Sequence, residues 1–247
     1  MLEFQARKGL LLPPDLSRSA VAVLVGGGIE SSILTAQLMD RFQAVYPVYV
    51  RFGLVWELVE EQHLRRFLAA IRGPHLGRLH ILDLPVADTY GDHWSITGDS
   101  VPDSSTADDA VYLPGRNLLL ISRTAVWCAL NGIETIALGP LDSNPFPDAT
   151  DNFFDKLESV IAAALDQRLR IIRPFARLAK AQVLQLGRDL PLEFSFSCIN
   201  PTYDSEKAAL HCGRCNKCHE RQQAFDESGV VDRTRYASRE RLAVPAL

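Results

Sequence analysis

The stretch that decides the fold is SAVAVLVGGGIESSILTAQLMDRF, which spans residues 19–42. Its opening run of alanine, valine and leucine is continuously apolar, a pattern typical of a strand that is buried on both faces. Three glycines follow at residues 26–28, and the apolar residues after them recur at helical spacing. A buried strand, a glycine turn and a helix in this order predict the first βα unit of a parallel sheet.

The same alternation continues through the rest of the chain. Further strands are predicted in AVYPVYVRF (44–52), LHILDL (79–84), IETIALG (133–139) and RLRIIRPF (168–175). Further helices are predicted in LVEEQHLRRFLAAI (58–71), NLLLISRTAVWCALNG (117–132), DNFFDKLESVIAAALDQR (151–168) and AKAQVLQLGRDL (179–190). A polar loop over residues 87–109 is long enough to act as a lid. The pattern predicts an α/β fold, a doubly wound parallel sheet with helices on both faces.

Length, composition and charge narrow the class of protein. The chain has 247 residues, 47% of them hydrophobic, which suits one large domain or a domain with a small appendage. The net charge is −4 and no block of lysine and arginine stands out, so we expect a small-molecule ligand and no direct nucleic-acid binding. Residues 1–16 lack the apolar segment and cleavage site of a signal peptide, and no run has the length of a membrane span. These features predict a cytoplasmic protein without a membrane partner.

Four cysteines near the C-terminus have the spacing of zinc ligands: Cys198, Cys212, Cys215 and Cys218. Two overlapping C-x2-C steps form a knuckle, and the upstream cysteine ties that knuckle to another part of the chain. Disulfides and unrelated buried thiols are the alternatives, and the lack of a secretion signal disfavours disulfides. His211 and His219 flank the knuckle and could each replace one cysteine. The fifth cysteine, Cys128, lies in an apolar run and is expected in the core.

Four thiolates close a zinc site, so the sequence predicts a structural metal ion. We place it in a small C-terminal zinc-binding lobe over residues 193–247, beside an α/β domain over residues 1–192. In doubly wound sheets, ligands bind where loops leave the carboxyl ends of the strands. The glycine loop is the first such loop, and free N–H groups at the start of the following helix, at Ser31 or Ser32, would favour an anion such as pyrophosphate. A tight turn without a ligand remains the alternative, because the loop is neither a dinucleotide nor a Walker A motif.

The chain resembles a known enzyme family over nearly all of its length. The glycine loop is similar to the S-G-G-x-D-S pyrophosphate loop of ATP pyrophosphatases. The segments YLPGRNLLLIS (112–122), LDSNPFPDAT (141–150), the Lys180 helix, SFSCINP (195–201) and CGRCNKCHERQQAF (212–225) resemble 7-cyano-7-deazaguanine synthases in order and spacing. The PGRN and four-cysteine motifs are specific to that family, whereas many ATP-dependent ligases share the loop.

The resemblance implies an adenine nucleotide alpha-hydrolase-like fold and a carbon-nitrogen ligase of the queuosine pathway. Such enzymes use ATP and Mg²⁺ to adenylate the carboxylate of 7-carboxy-7-deazaguanine, and ammonia then displaces AMP to give an amide. A second ATP activates the amide for dehydration to the nitrile. The resemblance also implies a homodimer and a structural Zn²⁺.

Candidate site residues follow from the matched motifs. The pyrophosphate loop corresponds to Val25, Gly26, Gly27, Gly28, Ile29, Glu30, Ser31 and Ser32. Catalytic roles fall on Glu30 as the Mg²⁺ anchor, on Arg116 as a fork donor to phosphate or carboxylate, and on Lys180 as a phosphate contact. Asn117 either caps its helix or contacts substrate, and Asp142 and Asp148 would face the deazaguanine ring. A structural ion pair for Arg116, a solvated Lys180 and ordinary turn positions for the two aspartates are the alternatives.

Three departures from the family pattern leave the activity open. Gly26 replaces the first loop serine, Glu30 replaces the loop aspartate, and FGLVWE (52–57) replaces a polar G-Q-R-H-like run. One interpretation is a synthase with altered kinetics. A second is a relative that stops at the amide or passes the activated carboxylate to another amine, such as one on a protein. A third is a pseudoenzyme that binds nucleotide or deazapurine without turnover. Trp56 either lines the site or packs in the core.

Overall fold

The computed structural model describes residues 19–238. The prediction about a leader at residues 1–16 lies outside the described residues. Seven strands occur in this part of the chain: β1 Ala20–Leu24, β2 Ala44–Arg51, β3 His80–Asp83, β4 Thr135–Ala137, β5 Arg170–Ile172, β6 Thr202–Tyr203 and β7 Ala209–Leu210. The α-helices of the same part are α1 Ile29–Met39, α2 Glu57–Ala70, α3 Ala87–Tyr90, α4 Trp94–Thr97, α5 Arg116–Leu130, α6 Asp151–Leu165, α7 Lys180–Leu186 and α8 Asn216–Ser228. None of these helices is long and apolar enough to span a membrane.

The main sheet has five parallel strands in the order β3-β2-β1-β4-β5. The chain moves outward from β1 through β2 to β3, then returns to the other side of β1 to add β4 and β5. This reversal places a topological switch point between β1 and β4, where doubly wound proteins bind their ligands. The predicted doubly wound parallel sheet is therefore confirmed, and the glycine loop leaves β1 at the switch point.

Two apolar layers cover the sheet, one on each face. One layer joins alternate β1 and β2 residues, such as Ala22 and Val48, to α5 and α6. The other joins Val21 and Val23 to α1, α2 and α7. Cys128 is fully buried in the first layer, as predicted, and its burial raises the pKa of the thiol to about 12. Such a thiol stays protonated and acts as a small core residue.

Two local features differ from the expectation. Helix α1 begins at Ile29, two residues before the predicted start, because Gly28 at φ −68° and ψ 171° already provides the extended N-cap. The polar loop over residues 87–109 contains the short helices α3 and α4 and is attached to the cysteine knuckle. The Ser104 N–H donates to the Arg214 carbonyl at 2.9 Å, and the Asn216 N–H donates to the Pro102 carbonyl at 3.0 Å. These two bonds attach the loop to the cysteine knuckle over residues 212–218.

Candidate functional site

The four predicted ligand cysteines converge in one buried cluster: Cys198, Cys212, Cys215 and Cys218. Their sulfur atoms all lie within 4.8 Å of one another, with Cys198 and Cys215 3.8 Å apart and Cys212 and Cys218 3.9 Å apart. Zn–S bonds of about 2.3 Å place two sulfurs of a tetrahedron about 3.8 Å apart, so the spacing fits zinc. All four are free cysteines in this structure, with no disulfide among them.

Backbone N–H groups point at the sulfur atoms of this cluster. The N–H groups of Asn200 and Cys212 donate to the Cys198 sulfur at 3.4 and 3.3 Å. The Cys212 sulfur accepts from Arg214 and Cys215 at 3.4 and 3.3 Å. These donors stabilise thiolate charge, as metal sites require. His211 is not one of the clustered groups, because its Nε2 accepts from the Ser197 N–H at 3.2 Å, and His219 is also outside the cluster.

A cleft of about 370 Å³ opens at the carboxyl ends of the central strands, at the switch point. Leu24 of β1, Val50 of β2 and Leu138 just after β4 contribute to its floor. The predicted loop residues Val25, Gly26, Gly28, Glu30 and Ser31 line this cleft. Gly27, Ile29 and Ser32 belong to the same loop but are not among the lining residues.

The glycine loop combines a positive-φ glycine, weakly bonded hydroxyls and the N-terminus of α1. Gly27 has φ +69°, and a Cβ there would lie 3.2 Å from the Glu60 side chain and carbonyl, so glycine is required by both conformation and space. The hydroxyls of Ser31 and Ser32 donate long hydrogen bonds to loop carbonyls, at 3.4 and 3.5 Å, and the Ser31 oxygen accepts from the Gly26 N–H at 3.4 Å. Weak bonds of this length are easily exchanged for a ligand oxygen. The first N–H groups of α1 face the same loop, which favours an anion.

Lys180 occupies the centre of a four-charge cluster at one side of the cleft. Its Nζ lies 2.8 Å from Glu30 Oε1 and 2.7 Å from Glu220 Oε1, and Lys217 Nζ lies 2.6 Å from the other Glu220 oxygen. All four side chains line the cleft. Burial opposes the charged form of Lys180, but Glu30 and Glu220 outweigh it and raise its pKa. Burial likewise opposes ionisation of Glu220, and the two lysines outweigh it and lower its pKa.

Two of the predicted substrate-binding residues, Asn117 and Asp148, are hydrogen-bonded to each other. The Asn117 N–H donates to Asp148 Oδ2 at 2.9 Å, and the Asn117 amide donates to the Asp148 carbonyl at 2.9 Å. Asp148 therefore supplies a cap to the N-terminus of α5, and burial raises the pKa of its carboxyl group. Both residues still line the cleft beside Arg116. Asp142 is exposed and is not among the lining residues.

A buried acid that the sequence motifs do not identify lies beneath the glycine loop. Glu60 in the first turn of α2 is only 9% exposed and lines the cleft. Its Oε2 accepts a hydrogen bond from the Tyr49 hydroxyl at 2.6 Å. Burial raises the pKa of Glu60 to about 7, although Arg116 and the Tyr49 hydrogen bond act in the opposite direction.

Sequence signals for the missed residues exist but are weak. Glu60 shares the buried face of α2 with Leu64 and Phe67 at helical spacing, and a carboxylate on an apolar stripe is uncommon. Lys217 and Glu220 are three residues apart in α8, a spacing that usually indicates a solvated surface pair. Their convergence on Lys180 depends on how α7 and α8 pack against each other.

The segment FGLVWE (52–57) contributes the apolar side chains of Phe52, Leu54 and Trp56 to the cleft. Trp56 is 4% exposed, lines the cleft and stacks on Trp94 with ring centroids 5.5 Å apart. Leu54 is also buried and lines the cleft. Glu57 accepts from the N–H groups of Phe52 and Gly53 at 2.6 and 3.0 Å, which fixes the turn into α2. Trp56 is thus a core residue and a lining residue at once, so the two interpretations are not exclusive.

Truncation of Trp56 is expected both to lower the stability of the protein and to change the shape of the cleft. Trp56→Ala should decrease the free energy of unfolding by roughly 3–5 kcal/mol, the usual cost of removing a buried tryptophan. Urea titration followed by circular dichroism measures this change. Trp56→Phe is the matched control, since it keeps an aromatic ring against Trp94 and should recover most of the loss. A loss below about 1 kcal/mol for Trp56→Ala would contradict the burial of this side chain.

Comparison with known proteins agrees with the motifs. Residues 19–229 match the family model described as "Queuosine biosynthesis protein QueC". The 7-cyano-7-deazaguanine synthase of a Nitratiruptor species is 30% identical over 225 residues, covering 87% of this chain and 98% of that protein. The 7-cyano-7-deazaguanine synthase of Cellvibrio japonicus is 28% identical over 235 residues, covering 90% of this chain and 100% of that protein. With a family match over most of its length and relatives matched nearly end to end, the chain belongs to the QueC family.

Proposed function

We propose that this protein is an ATP-dependent carbon-nitrogen ligase that adenylates the carboxylate of 7-carboxy-7-deazaguanine and passes the acyl group to ammonia. The amide is then dehydrated with a second ATP to 7-cyano-7-deazaguanine. The observation that carries the proposal is the set of residues that line the cleft. A glycine anion loop, the Glu30–Lys180 pair and Arg116 all line one cleft of about 370 Å³ at the switch point. The named synthases among its relatives support the same reaction.

The cleft chemistry suits adenylation of a carboxylate. A carboxylate oxygen must approach the α-phosphorus of ATP although both groups are negative, and pyrophosphate must be held as it leaves. The glycine loop and the start of α1 supply N–H donors for pyrophosphate. Lys180 and Lys217 bring two cations to the cleft, where Glu30 and Glu220 pair with them. Arg116 is a planar fork donor for the substrate carboxylate or the α-phosphate.

The donor set also fits the two expected metals. Glu30 Oε1 pairs with Lys180, while among the described residues no donor binds its Oε2, so this oxygen could hold Mg²⁺. Bound there, Mg²⁺ would neutralise phosphate charge. The four-cysteine cluster would hold Zn²⁺ in a closed site with a structural role. Because Cys215 caps α8 and Cys218 lies in its first turn, zinc would also fix the helix that carries Lys217 and Glu220.

One observation favours a second candidate, transfer to an amine other than ammonia. Leu54 and Trp56 are buried and give the cleft an apolar wall. Such a wall would limit water and protect an acyl adenylate while a larger amine arrives. The two candidates share adenylation and differ only in the acceptor.

Product analysis separates these functions. Purified protein would be incubated with 7-carboxy-7-deazaguanine, ATP, Mg²⁺ and ammonia, and the products would be identified by mass spectrometry. A nitrile, with two AMP formed per turnover, is the expected result. An amide or a protein adduct of the deazapurine would support the relative with another acceptor. Absence of carboxylate-dependent AMP would overturn both candidates and support a binding protein.

A further inference from the structure

The environment of Glu60 differs from that of a structural acid. One carboxylate oxygen, Oε2, accepts from Tyr49, and within residues 19–238 no donor binds the other, Oε1. A Cβ built on Gly26 would lie 3.8 Å from Glu60 Oε1 and 4.0 Å from Arg116 Nη2. The free oxygen and the Arg116 guanidinium therefore both lie close to Gly26 of the glycine loop, in the cleft that the proposed reaction would use.

The charged and titratable groups around Glu60 come from three elements. Tyr49 of β2 donates to it, Arg116 at the start of α5 is the nearby cation, and Glu57 lies on its own helix. Burial disfavours the carboxylate and is the largest influence. Arg116 and Tyr49 favour the carboxylate, and Glu57 disfavours it, which together leave a pKa of about 7. An acid with a pKa near the operating pH is suited to exchange a proton with a reacting group.

Resting on the proposed function, we propose that Glu60 is the catalytic residue that accepts the proton from the amine as it attacks the acyl adenylate. The amine nitrogen forms a bond to the carboxyl carbon, and the bond from that carbon to the AMP oxygen breaks. The electron pair of the broken bond leaves with AMP. One proton from the amine nitrogen passes to Glu60 Oε1, so ammonia gives a neutral amide. No oxidant or reductant is involved.

The proposed role of Glu60 affects only one of the two half-reactions, the attack of the amine on the acyl adenylate. Adenylation transfers no proton to Glu60, whereas amine attack does. Glu60→Gln keeps the size and hydrogen-bonding capacity of the side chain but removes its basicity. We expect pyrophosphate–ATP exchange dependent on 7-carboxy-7-deazaguanine to change by less than about threefold. Amide formation should fall by about 10²–10⁴-fold, the usual contribution of a general base.

The stability of the variant distinguishes catalysis from a structural role. The pKa of Glu60 is raised in the folded protein, so this carboxyl group opposes folding more strongly as pH rises through about 7. Replacement by a neutral glutamine should therefore leave the melting temperature at pH 8 unchanged or higher. If Glu60 served only to accept from Tyr49, the glutamine oxygen would keep that role and both half-reactions would change by the same factor.

The pH profile provides an independent test. At a fixed concentration of unprotonated ammonia, amide formation should rise with pH through about 7 in the wild type, as Glu60 becomes a carboxylate. Tyr49→Phe removes a hydrogen bond that lowers this pKa, so the rise should move to higher pH. Tyr46→Phe is the matched control, because Tyr46 is on the same strand but packs against His80 and Trp127, and it should leave the profile unchanged.

The outcomes distinguish the failure of each claim. Lack of exchange in the wild type would overturn the proposed function, and the Glu60 proposal with it. Normal exchange combined with unchanged amide formation in Glu60→Gln would overturn the Glu60 proposal alone. The Glu60 proposal is also overturned if exchange and amide formation fall equally, or if Tyr49→Phe leaves the pH profile in place.

Discussion

Replacement of Cys215 by serine is expected to prevent zinc binding and to destroy activity at a distance from the cysteine cluster. Cys215 is both a candidate ligand and the N-cap of α8, whose Lys217 and Glu220 reach the cleft. Structural zinc contributes roughly 10–16 kcal/mol to folding of zinc-finger peptides at pH 7, and a large part of a comparable term should be lost here. Loss of α8 would leave Lys180 without Glu220. Zinc content, urea unfolding and AMP formation should therefore fall together.

Cys128→Ala is the matched control for this experiment. Cys128 is buried in the sheet core and belongs to no cluster of ligands among the described residues, so the variant should keep about one zinc per chain. It should show only the modest loss of stability of a small core truncation. Full zinc occupancy in Cys215→Ser would contradict the four-cysteine site. Normal AMP formation in zinc-depleted Cys215→Ser would contradict the link between the knuckle and the cleft.

Glu30→Gln is expected to suppress AMP formation by about 10²–10³-fold, the range found when one charge-stabilising group is removed from an active site. The variant loses the carboxylate proposed to hold Mg²⁺ and one of the two partners of Lys180. Folding should be little changed, because Lys180 keeps its 2.7 Å contact with Glu220. Steady-state AMP release over a range of Mg²⁺ concentrations measures the effect, together with the melting temperature.

Two variants control the Glu30 result. Glu134→Gln makes the same chemical change at an exposed position before β4 and should leave both rate and stability unchanged. Glu30→Asp keeps the charge and gives the aspartate of the loop pattern that this chain resembles, so it should retain or improve activity. Unchanged AMP release in Glu30→Gln would show that another residue holds the metal.

The sequence predicts the sheet and the metal cluster well for clear physical reasons. Buried parallel strands are continuous apolar runs, and helices between them show their period, so the alternation is visible without a structure. Cysteine spacing predicts the arrangement of the sulfur atoms, because closely spaced cysteines can surround one metal ion in only a few ways. The placement of Arg116, Glu30 and Lys180 at one cleft follows from the rule that strand carboxyl ends share one edge of the sheet.

The remaining site residues depend on packing between distant elements. Glu60 reaches the cleft because α2 folds its first turn beneath the glycine loop, and Glu220 reaches it because α8 packs on α7. Periodicity identifies the buried face of a helix but not the element that meets its end. The hydrogen bond between Asp148 and Asn117 could not be predicted for the same reason, since it joins residues 31 positions apart.

An isotope transfer experiment tests the central claim, adenylation of a carboxylate, most directly. The protein would be incubated with ATP, Mg²⁺, ammonia and 7-carboxy-7-deazaguanine labelled with ¹⁸O in its carboxylate. The mass of the AMP formed would be measured by mass spectrometry. If the carboxylate attacks the α-phosphorus and the amine then displaces AMP at the acyl carbon, AMP leaves with one carboxylate oxygen. We predict one ¹⁸O atom in each AMP formed in the first step. Unlabelled AMP, produced at the same rate with and without the carboxylate, would contradict the account.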